Sequence, residues 1–182
     1  MPTHEKARAH TKLTATLVAI AALASLPATF AQAGDGGTGT SSSQARPGKA
    51  KLVHGKAIAP SNAPGRVVRV IDAANRIAKG TDYCYGGGHA SFKSKCYDCS
   101  GSVSYALHGG RLLRRPMASG DLMHWGHGHR GKWITVFANA GHAYMTVAGL
   151  RFDTSMTKGS GPGWSRQMRP SSGYKKRHKG RL

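Results

Sequence analysis

The sequence predicts an α+β domain in which N-terminal helices pack on an antiparallel β-sheet. Apolar residues recur at helical spacing within residues 61–80 and again after Cys99, so the first half is expected to be helical. From Lys132 onward, short apolar segments alternate with tight turns, which is typical of antiparallel strands. Helices that precede strands, instead of alternating with them, favour separate layers around one core.

The first predicted helix lies within residues 61–80. Ser61 or Asn62 is expected to cap its start, because short polar side chains accept hydrogen bonds from free backbone N–H groups there. Pro64 suits the first turn and Gly80 is a natural end. A glycine-rich loop, DYCYGGGHASFKSK, follows this helix.

The second predicted helix begins at Cys99, directly after the potential capping residue Asp98, and ends at a Gly-Gly pair. Three short strands are expected in residues 132–155, KWITVFANAGHAYMTVAGLRFDTS. The turns between them fall at residues 139–141 and 148–149. These segments supply the helical and sheet layers of the predicted fold.

Residues 1–33 are predicted to be a cleaved signal peptide. A basic start is followed by the apolar run LTATLVAIAALASLPATFA and by a small-x-small sequence that ends at Ala33. The alternative is an uncleaved anchor, but the run is short for a membrane span and contains Thr, Ser and Pro. Cleavage after Ala33 would give a secreted or cell-wall-associated protein with no membrane span.

Residues 34–60 are rich in Gly, Ser, Pro and Lys and are expected to form a flexible basic linker. Residues 61–182 would form the domain, with the basic sequence KKRHKGRL as its C-terminal tail. The chain has 27 Lys and Arg against 7 acidic residues, a formal charge of +20, which attracts polyanions. Anionic cell-wall polymers are the expected partners, since the sequence has no recognisable basic helix or aromatic platform for specific nucleic-acid binding. The sequence does not specify an oligomeric state.

The three cysteines are the most informative residues for chemistry. In an exported chain an odd number leaves at least one thiol unpaired or paired between molecules. Cys99 opens a helix, where the positive end of the helix dipole favours the thiolate form. Ser100 and Gly101 leave space around its sulfur. Cys99 is therefore a candidate nucleophile.

Three other interpretations of the cysteines remain open on the residues alone. Cys96 and Cys99 have the spacing of a redox CxxC motif, although the preceding helix and loop are not the context of a thioredoxin-like site. Cys84, His89, Cys96 and Cys99 have a tolerable spacing for zinc. Cys84 could instead bridge Cys96 or Cys99 in a disulfide. A Cys84–Cys96 bridge is compatible with a nucleophilic Cys99.

A cysteine nucleophile needs a base that the fold brings close to it. His142 follows a glycine turn and opens a predicted strand, and Asp153 lies on the next strand. A hairpin that turns at Gly149 would place the two side chains together, so that the carboxylate orients the imidazole. His124, His127 and His129 form a His-rich tract near Trp125, for which adventitious metal binding is the simpler interpretation. No functional metal and no cofactor are predicted.

Four segments, taken together and in order, resemble the NlpC-like cell-wall cysteine peptidases, which belong to a papain-like superfamily of peptidoglycan hydrolases. They are GTDYCYGGG, DCSGSVSYAL, SGDL and GHAYMTVAG. The resemblance covers about residues 64–155 and implies a papain-like, NlpC-type α+β fold. The chain departs from the family pattern at Asp82 and Tyr85, where Pro and Trp are usual, and by an insertion around WGHGHRGKW.

The resemblance implies a role for each matching residue. Cys99 would be the nucleophile, His142 the base, and either Asp153 or Thr154 the third member, with Asp153 preferred. These further residues are expected beside the substrate or the developing oxyanion: Tyr83, Asp98 and Ser100. The implied reaction is hydrolysis of an amide bond in a peptidoglycan stem peptide through a thioester, between D-Glu and the diamino acid.

Overall fold

The computed structural model describes residues 46–155 and 161–182. The predicted signal peptide and the first part of the predicted linker lie outside these described residues. Among the described helices, none has the length and apolar character needed to cross a membrane.

The second part of the predicted linker is ordered, and here the expectation of a flexible segment is wrong. Strands β1 (Lys51–Val53) and β2 (Lys56–Ile58) form an antiparallel hairpin. His54 and Gly55 connect the strands with φ angles of 47° and 81°, the left-handed conformation that tight hairpin turns require. The average composition of residues 34–60 concealed this short alternating segment.

Hydrogen bonds fix the hairpin to the rest of the domain. Asn75 donates to the carbonyl oxygen of Ala57 at 2.8 Å, and its Oδ1 accepts from the Ala57 N–H at 2.9 Å. Ala57 is only 3% exposed, and the N–H of Ala50 donates to the carbonyl of Ala148. Buried backbone groups that all find partners make the hairpin part of the domain.

Helix α1 spans Gly65–Ile77 and buries an apolar face. Its N-cap residue is Pro64 and no side chain caps it, so the predicted cap by Ser61 or Asn62 is wrong. Asn62 instead bonds the backbone of Arg46 and Gly48, in the segment that leads to the hairpin.

Helix α2 spans Cys99–Gly109 and begins as the sequence predicts. Asp98 is its N-cap, and the carboxylate accepts a hydrogen bond of 2.7 Å from the N–H of Gly101. At the other end, a Cβ on Gly109 would lie 2.3 Å from Cβ of Ala73 in α1. The two helices therefore approach closely because a glycine stands at their contact.

Six antiparallel strands form the main sheet, in the order β3-β8-β4-β5-β6-β7. A short helix, α3 (Ser119–Leu122), precedes them. The strands are β3 (His127–Gly128), β4 (Ile134–Ala138), β5 (Ala143–Val147), β6 (Leu150–Asp153), β7 (Gly163–Ser165) and β8 (Lys175–His178). The three predicted strands are β4, β5 and β6, and their turns lie where the sequence places them. The predicted α+β class is confirmed.

The basic C-terminal sequence contributes a strand, although it was predicted to be a tail. Strand β8 lies between β3 and β4, with Arg177 opposite Val136. The Arg177 guanidinium donates to the carbonyl oxygens of Trp125 and Gly126 at 2.8 Å each. The charged side chain thus satisfies backbone acceptors in the His-rich loop, which a composition argument cannot foresee.

The two faces of the sheet have different roles. Val136, Met145 and Phe152 lie side by side on β4, β5 and β6 and belong to the core shared with the helices. Because side chains alternate along a strand, Phe137 and Tyr144 lie on the opposite face, where their rings stack at 4.6 Å. This face, opposite the core shared with the helices, is the outer face of the sheet.

Candidate active site

Cys99 lies at the first position of α2, where the helix meets strand β5, and is 8% exposed. Burial, the largest single influence, favours its neutral thiol. Hydrogen bonds from the His142 side chain and the Ala143 backbone, together with the charge of His142, outweigh burial and lower the pKa of Cys99 below its ordinary value of 9.0. The sulfur is thus held as a candidate thiolate.

His142 is placed by the turn that precedes β5. The Asn139 side-chain oxygen accepts hydrogen bonds from the backbone N–H groups of Gly141, at 3.0 Å, and His142, at 2.8 Å. The Asn139 N–H in turn donates to the His142 carbonyl at 3.0 Å. These three bonds fix the backbone from which the imidazole extends. The ANAGH sequence indicates this turn, since an Asn side chain commonly accepts hydrogen bonds from backbone N–H groups of the turn that it begins.

The imidazole joins the cysteine to a buried carboxylate. His142 Nε2 lies 2.9 Å from Asp153 Oδ1, and the Asp153 side chain is fully buried. Since Nε2 is occupied by Asp153, Nδ1 is the ring nitrogen that remains for the sulfur. The structure therefore brings the three sequence-predicted residues together in the order Cys99, His142, Asp153.

The electrostatics of these groups favour an ion pair. Burial opposes the charged imidazole most strongly, but hydrogen bonds to Asp153 and Cys99 and their charges raise the pKa of His142 to about 9. Burial also opposes the Asp153 carboxylate, whose pKa nevertheless falls to about 2 because of the hydrogen bond and charge of His142 and bonds from Ser155. The lowered pKa of Cys99 and the raised pKa of His142 together favour a thiolate beside an imidazolium.

Asp153 has partners that the sequence did not reveal. The Arg169 Nη1 atom lies 3.1 Å from Asp153 Oδ2, and the Ser155 N–H donates to Oδ1 at 3.1 Å. Arg151 Nε is farther, at 3.7 Å from Oδ2. Thr154, the alternative third residue, is buried beside Asp153, but the contact with His142 is made by Asp153.

The remaining two cysteines are joined in a disulfide, Cys84–Cys96, with their Cα atoms 5.6 Å apart. Cys99 is the free cysteine of the three. Cys96 is therefore unavailable as a thiol partner in a CxxC motif, and neither bridged sulfur is available to zinc. Within residues 46–155 and 161–182, no group of three or more His, Cys, Asp or Glu side chains could hold a metal ion.

Asp98 ties the glycine-rich loop to the start of α2. Besides capping the helix, it accepts a hydrogen bond of 3.1 Å from the Gly86 N–H through Oδ2. His89 Nε2 lies 3.1 Å from Asp98 Oδ1 and 3.0 Å from Ser100 Oγ. The buried side chains of Asp98 and Ser100 thus hold one wall of the site in place, and His89 is a wall residue that the sequence had offered only as a zinc ligand.

A cleft of about 340 Å³ lies over the sulfur. Tyr83, 45% exposed, and Tyr85, 95% exposed, come from the glycine-rich loop, and Ser119 and Ala140 come from α3 and the turn before β5. Burial and the negative charges of Cys99 and Asp98 raise the pKa of Tyr83, so its hydroxyl stays protonated and can donate. Cys99 is itself among the residues that line the cleft.

One residue of the His-rich tract lies in the sheet. His127 is on β3, and its ring contacts the ring of His178 on β8 with centroids 5.7 Å apart. Trp125 is 6% exposed and packs in the hydrophobic core.

Neither a family model nor a curated protein matches the chain, whereas several solved structures are similar. The peptidoglycan hydrolase RipB from Mycobacterium tuberculosis is 24% identical, over 66% of this chain and 68% of that chain, with a TM-score of 0.49. A hypothetical invasion protein of Mycobacterium tuberculosis is 19% identical over 62% of this chain and 61% of that one, with a TM-score of 0.47. The P60 domain of an antigen from M. avium subspecies paratuberculosis is 19% identical over 62% and 93%, with a TM-score of 0.43.

One of these neighbours is described as a peptidoglycan hydrolase and another as a P60 domain. Their identities are all below one quarter and their TM-scores below one half.

Proposed function

We propose that this protein is a cysteine peptidase that hydrolyses amide bonds in peptidoglycan stem peptides. The observation that supports it best is the ordered set of contacts from the Cys99 thiol through the His142 imidazole to the buried Asp153 carboxylate. A nucleophile, a base and a group that orients the base are the three parts that acyl transfer needs. The open cleft over the sulfur supplies the place for a substrate.

In the proposed first step, the Cys99 thiolate attacks the amide carbonyl carbon. The backbone N–H of Cys99 and the Tyr83 hydroxyl are the candidate donors to the oxyanion. Loss of one such donor typically costs about 2.7–4 kcal/mol of transition-state stabilisation. The tetrahedral intermediate collapses as the His142 imidazolium gives its proton to the leaving amine, which leaves a thioester on Cys99.

In the second step, the neutral His142 accepts a proton from water while the water oxygen attacks the thioester carbonyl. Collapse of this intermediate releases the carboxylic acid and returns the thiolate beside an imidazolium. Asp153 stays ionised throughout and holds the ring in one orientation. This role fits its complete burial and its low pKa of about 2.

Peptidoglycan is the proposed substrate because the motifs of the site resemble those of NlpC-like peptidases. The bond that the resemblance implies joins D-Glu to the diamino acid of the stem peptide. RipB, a solved structure with a similar fold, is described as a peptidoglycan hydrolase. The charge of +20 supports retention of the chain on anionic wall polymers, and the predicted signal peptide supports a secreted or wall-associated location.

Two alternative functions, a thiol oxidoreductase and a non-catalytic wall-binding module, have less support. A thiol oxidoreductase needs two thiols that cycle, but Cys96 is bonded to Cys84 and not to Cys99. A non-catalytic wall-binding module gives no reason for a buried thiol that is hydrogen-bonded to an oriented imidazole.

Purified protein incubated with peptidoglycan tests this proposal, with the released fragments identified by mass spectrometry. We expect new amino and carboxyl ends at one bond of the stem peptide, and the fragment masses identify that bond. An unfolded polypeptide serves as a comparison substrate. Cleavage of the polypeptide but not of peptidoglycan would retain the cysteine peptidase and overturn the substrate. Cleavage of neither by folded, reduced protein would overturn the proposal.

A further inference from the structure

We infer that Arg169 is a positioning residue of the active site, which holds the Asp153 carboxylate in the correct orientation toward His142. The inference rests on the proposed function, because it assigns a role to Arg169 in the same reaction. Arg169 lies in the segment between β7 and β8, which crosses the outer face of the sheet.

The two Asp153 oxygens have different partners. Oδ1 accepts from His142 Nε2 at 2.9 Å and from the Ser155 N–H at 3.1 Å. Oδ2 faces Arg169, whose Nη1 lies 3.1 Å away. Arg169 therefore holds the oxygen that His142 does not use, and this fixes rotation of the carboxylate about its own axis.

The burial of Asp153 makes such a cation necessary. Its side chain is 0% exposed, and a buried carboxylate is costly unless it is paired and hydrogen-bonded. Arg151 is also near, but its Nε lies 3.7 Å from Oδ2 and makes no hydrogen bond to any described residue. Among the described residues, Arg169 is thus the permanently charged group that bonds this carboxylate directly.

Arg169 is itself held in place. The guanidinium carbon lies 5.3 Å from the ring centroid of Tyr144 and 5.5 Å from that of Tyr174. The same Nη1 donates to Ser155 Oγ at 3.0 Å. A flat guanidinium between two rings is suited to this position, whereas a lysine would offer a point charge without the planar contact.

The charged and titratable groups around the site define the expected pH effect. Asp153 faces His142 in the turn before β5, Arg151 on β6, and Arg169 with the neutral Tyr144 on the outer face. Cys99 interacts electrostatically with His142, Asp98 and Tyr83. Tyr174 lies against both Arg169 and the His142 ring.

Removal of the Arg169 charge weakens the positive potential at the Asp153 carboxylate and at the Cys99 thiolate. The acid limb of activity, which is the pH range where the rate falls as pH decreases, should therefore move to higher pH.

The test compares the full chain with its R169M and R169K variants. We expect kcat of R169M to fall by roughly 10²-fold, because a misplaced catalytic group loses that much when its geometry shifts by about 1 Å. KM should change little, since Arg169 lies on the outer face, away from the cleft. The midpoint pH of the acid limb of kcat/KM should rise by about one unit. R169K should recover part of the rate, and the midpoint of its acid limb should lie close to that of the wild type.

A second measurement separates positioning from a merely structural contribution. In R169A, guanidinium ion at tens of millimolar should restore part of the activity, whereas sodium at equal ionic strength should not. Arg130→Met is the matched control, because Arg130 lies over the Phe137 ring at 5.1 Å on the same face without a contact to Asp153. That variant should keep wild-type activity. Wild-type kcat and acid limb in R169M, or equal losses in R169M and R130M, would overturn the inference.

The rate of Cys99 alkylation by iodoacetamide distinguishes failure of this inference from failure of the proposed function. The inference predicts that the acid limb of alkylation moves upward in R169M even if no peptidoglycan substrate is cleaved. An unmoved alkylation profile in a folded R169M would overturn the role of Arg169 and leave the peptidase proposal intact.

Discussion

His142 Nε2 lies 2.9 Å from the fully buried Asp153 Oδ1, across the hairpin that joins β5 to β6. This contact leaves the other ring nitrogen for Cys99, on a different layer of the fold. The hairpin thus carries the base and its orienting group, while helix α2 carries the nucleophile.

Replacement of Asp153 by Asn should reduce kcat/KM between roughly 10²- and 10⁴-fold, since the amide keeps the shape but not the charge that orients the ring. The rates are measured on peptidoglycan fragments at neutral pH. Thr154→Val is the matched control, because Thr154 is adjacent and also buried, and the contact with His142 is made by Asp153. A larger loss in the Thr154 variant than in D153N would contradict the assignment of the third residue.

The Cys99 alkylation rate should begin to fall at a lower pH than that of an ordinary thiol, because the pKa of Cys99 is lowered. In His142→Gln the lowering influences of the imidazole are absent while burial remains. The alkylation profile should then shift to higher pH, and alkylation below neutral pH should be slower than in the wild type. Identical pH profiles for H142Q and the wild type would show that the two side chains are not coupled.

Cys84 and Cys96 should respond to reductant differently from Cys99. Their disulfide, with a sequence separation of 12, closes a loop that directly follows Tyr83 and carries the Gly86 N–H bound by Asp98. Loss of such a bridge removes about 3 kcal/mol from the free energy of unfolding. We expect mild reductant to keep Cys99 active, and strong reductant or the C84S/C96S double variant to lower both stability and activity.

Denaturant unfolding of the wild type, with and without reductant, and of the double variant measures this effect. Undiminished stability and activity in C84S/C96S would show that the loop holds its conformation without the bridge.

Retention on the cell wall should depend on salt. The chain has a formal charge of +20, and the Debye length falls from about 10 Å at 0.1 M to about 3 Å at 1 M salt. A folded Cys99→Ala variant, which leaves the polymer intact, should sediment with peptidoglycan sacculi at low salt and be released at high salt. Sedimentation that is equal at both salt concentrations would point to a binding contact of another kind.

Local sequence patterns predicted three strands of the sheet, the hairpin between two of them and the start of helix α2. The strands β4, β5 and β6 alternate regularly, and the hairpin at Gly149 brought Asp153 to His142 as the sequence indicates. The start of α2 followed from the capping residue Asp98. In each case the residues that decide the geometry are close together in the chain.

Other features depend on contacts between distant segments and could not be foreseen. The basic C-terminal sequence has the composition of a solvated tail, but Arg177 satisfies carbonyl groups about fifty positions earlier, at Trp125 and Gly126, and so forms a strand. Arg169 has no pattern around it, and its contact with Asp153 depends on the path of the chain over the outer face. The hairpin of β1 and β2 depends on Asn75 of the following helix.

Cys99 is the proposed nucleophile of an amide hydrolase. The most direct measurement is the rate of fragment release from peptidoglycan by the wild type and by Cys99→Ala at matched concentration, with folding of both verified by circular dichroism. We expect fragments with the wild type and none above background with the variant. Release of the same fragments by folded C99A at a comparable rate would contradict it.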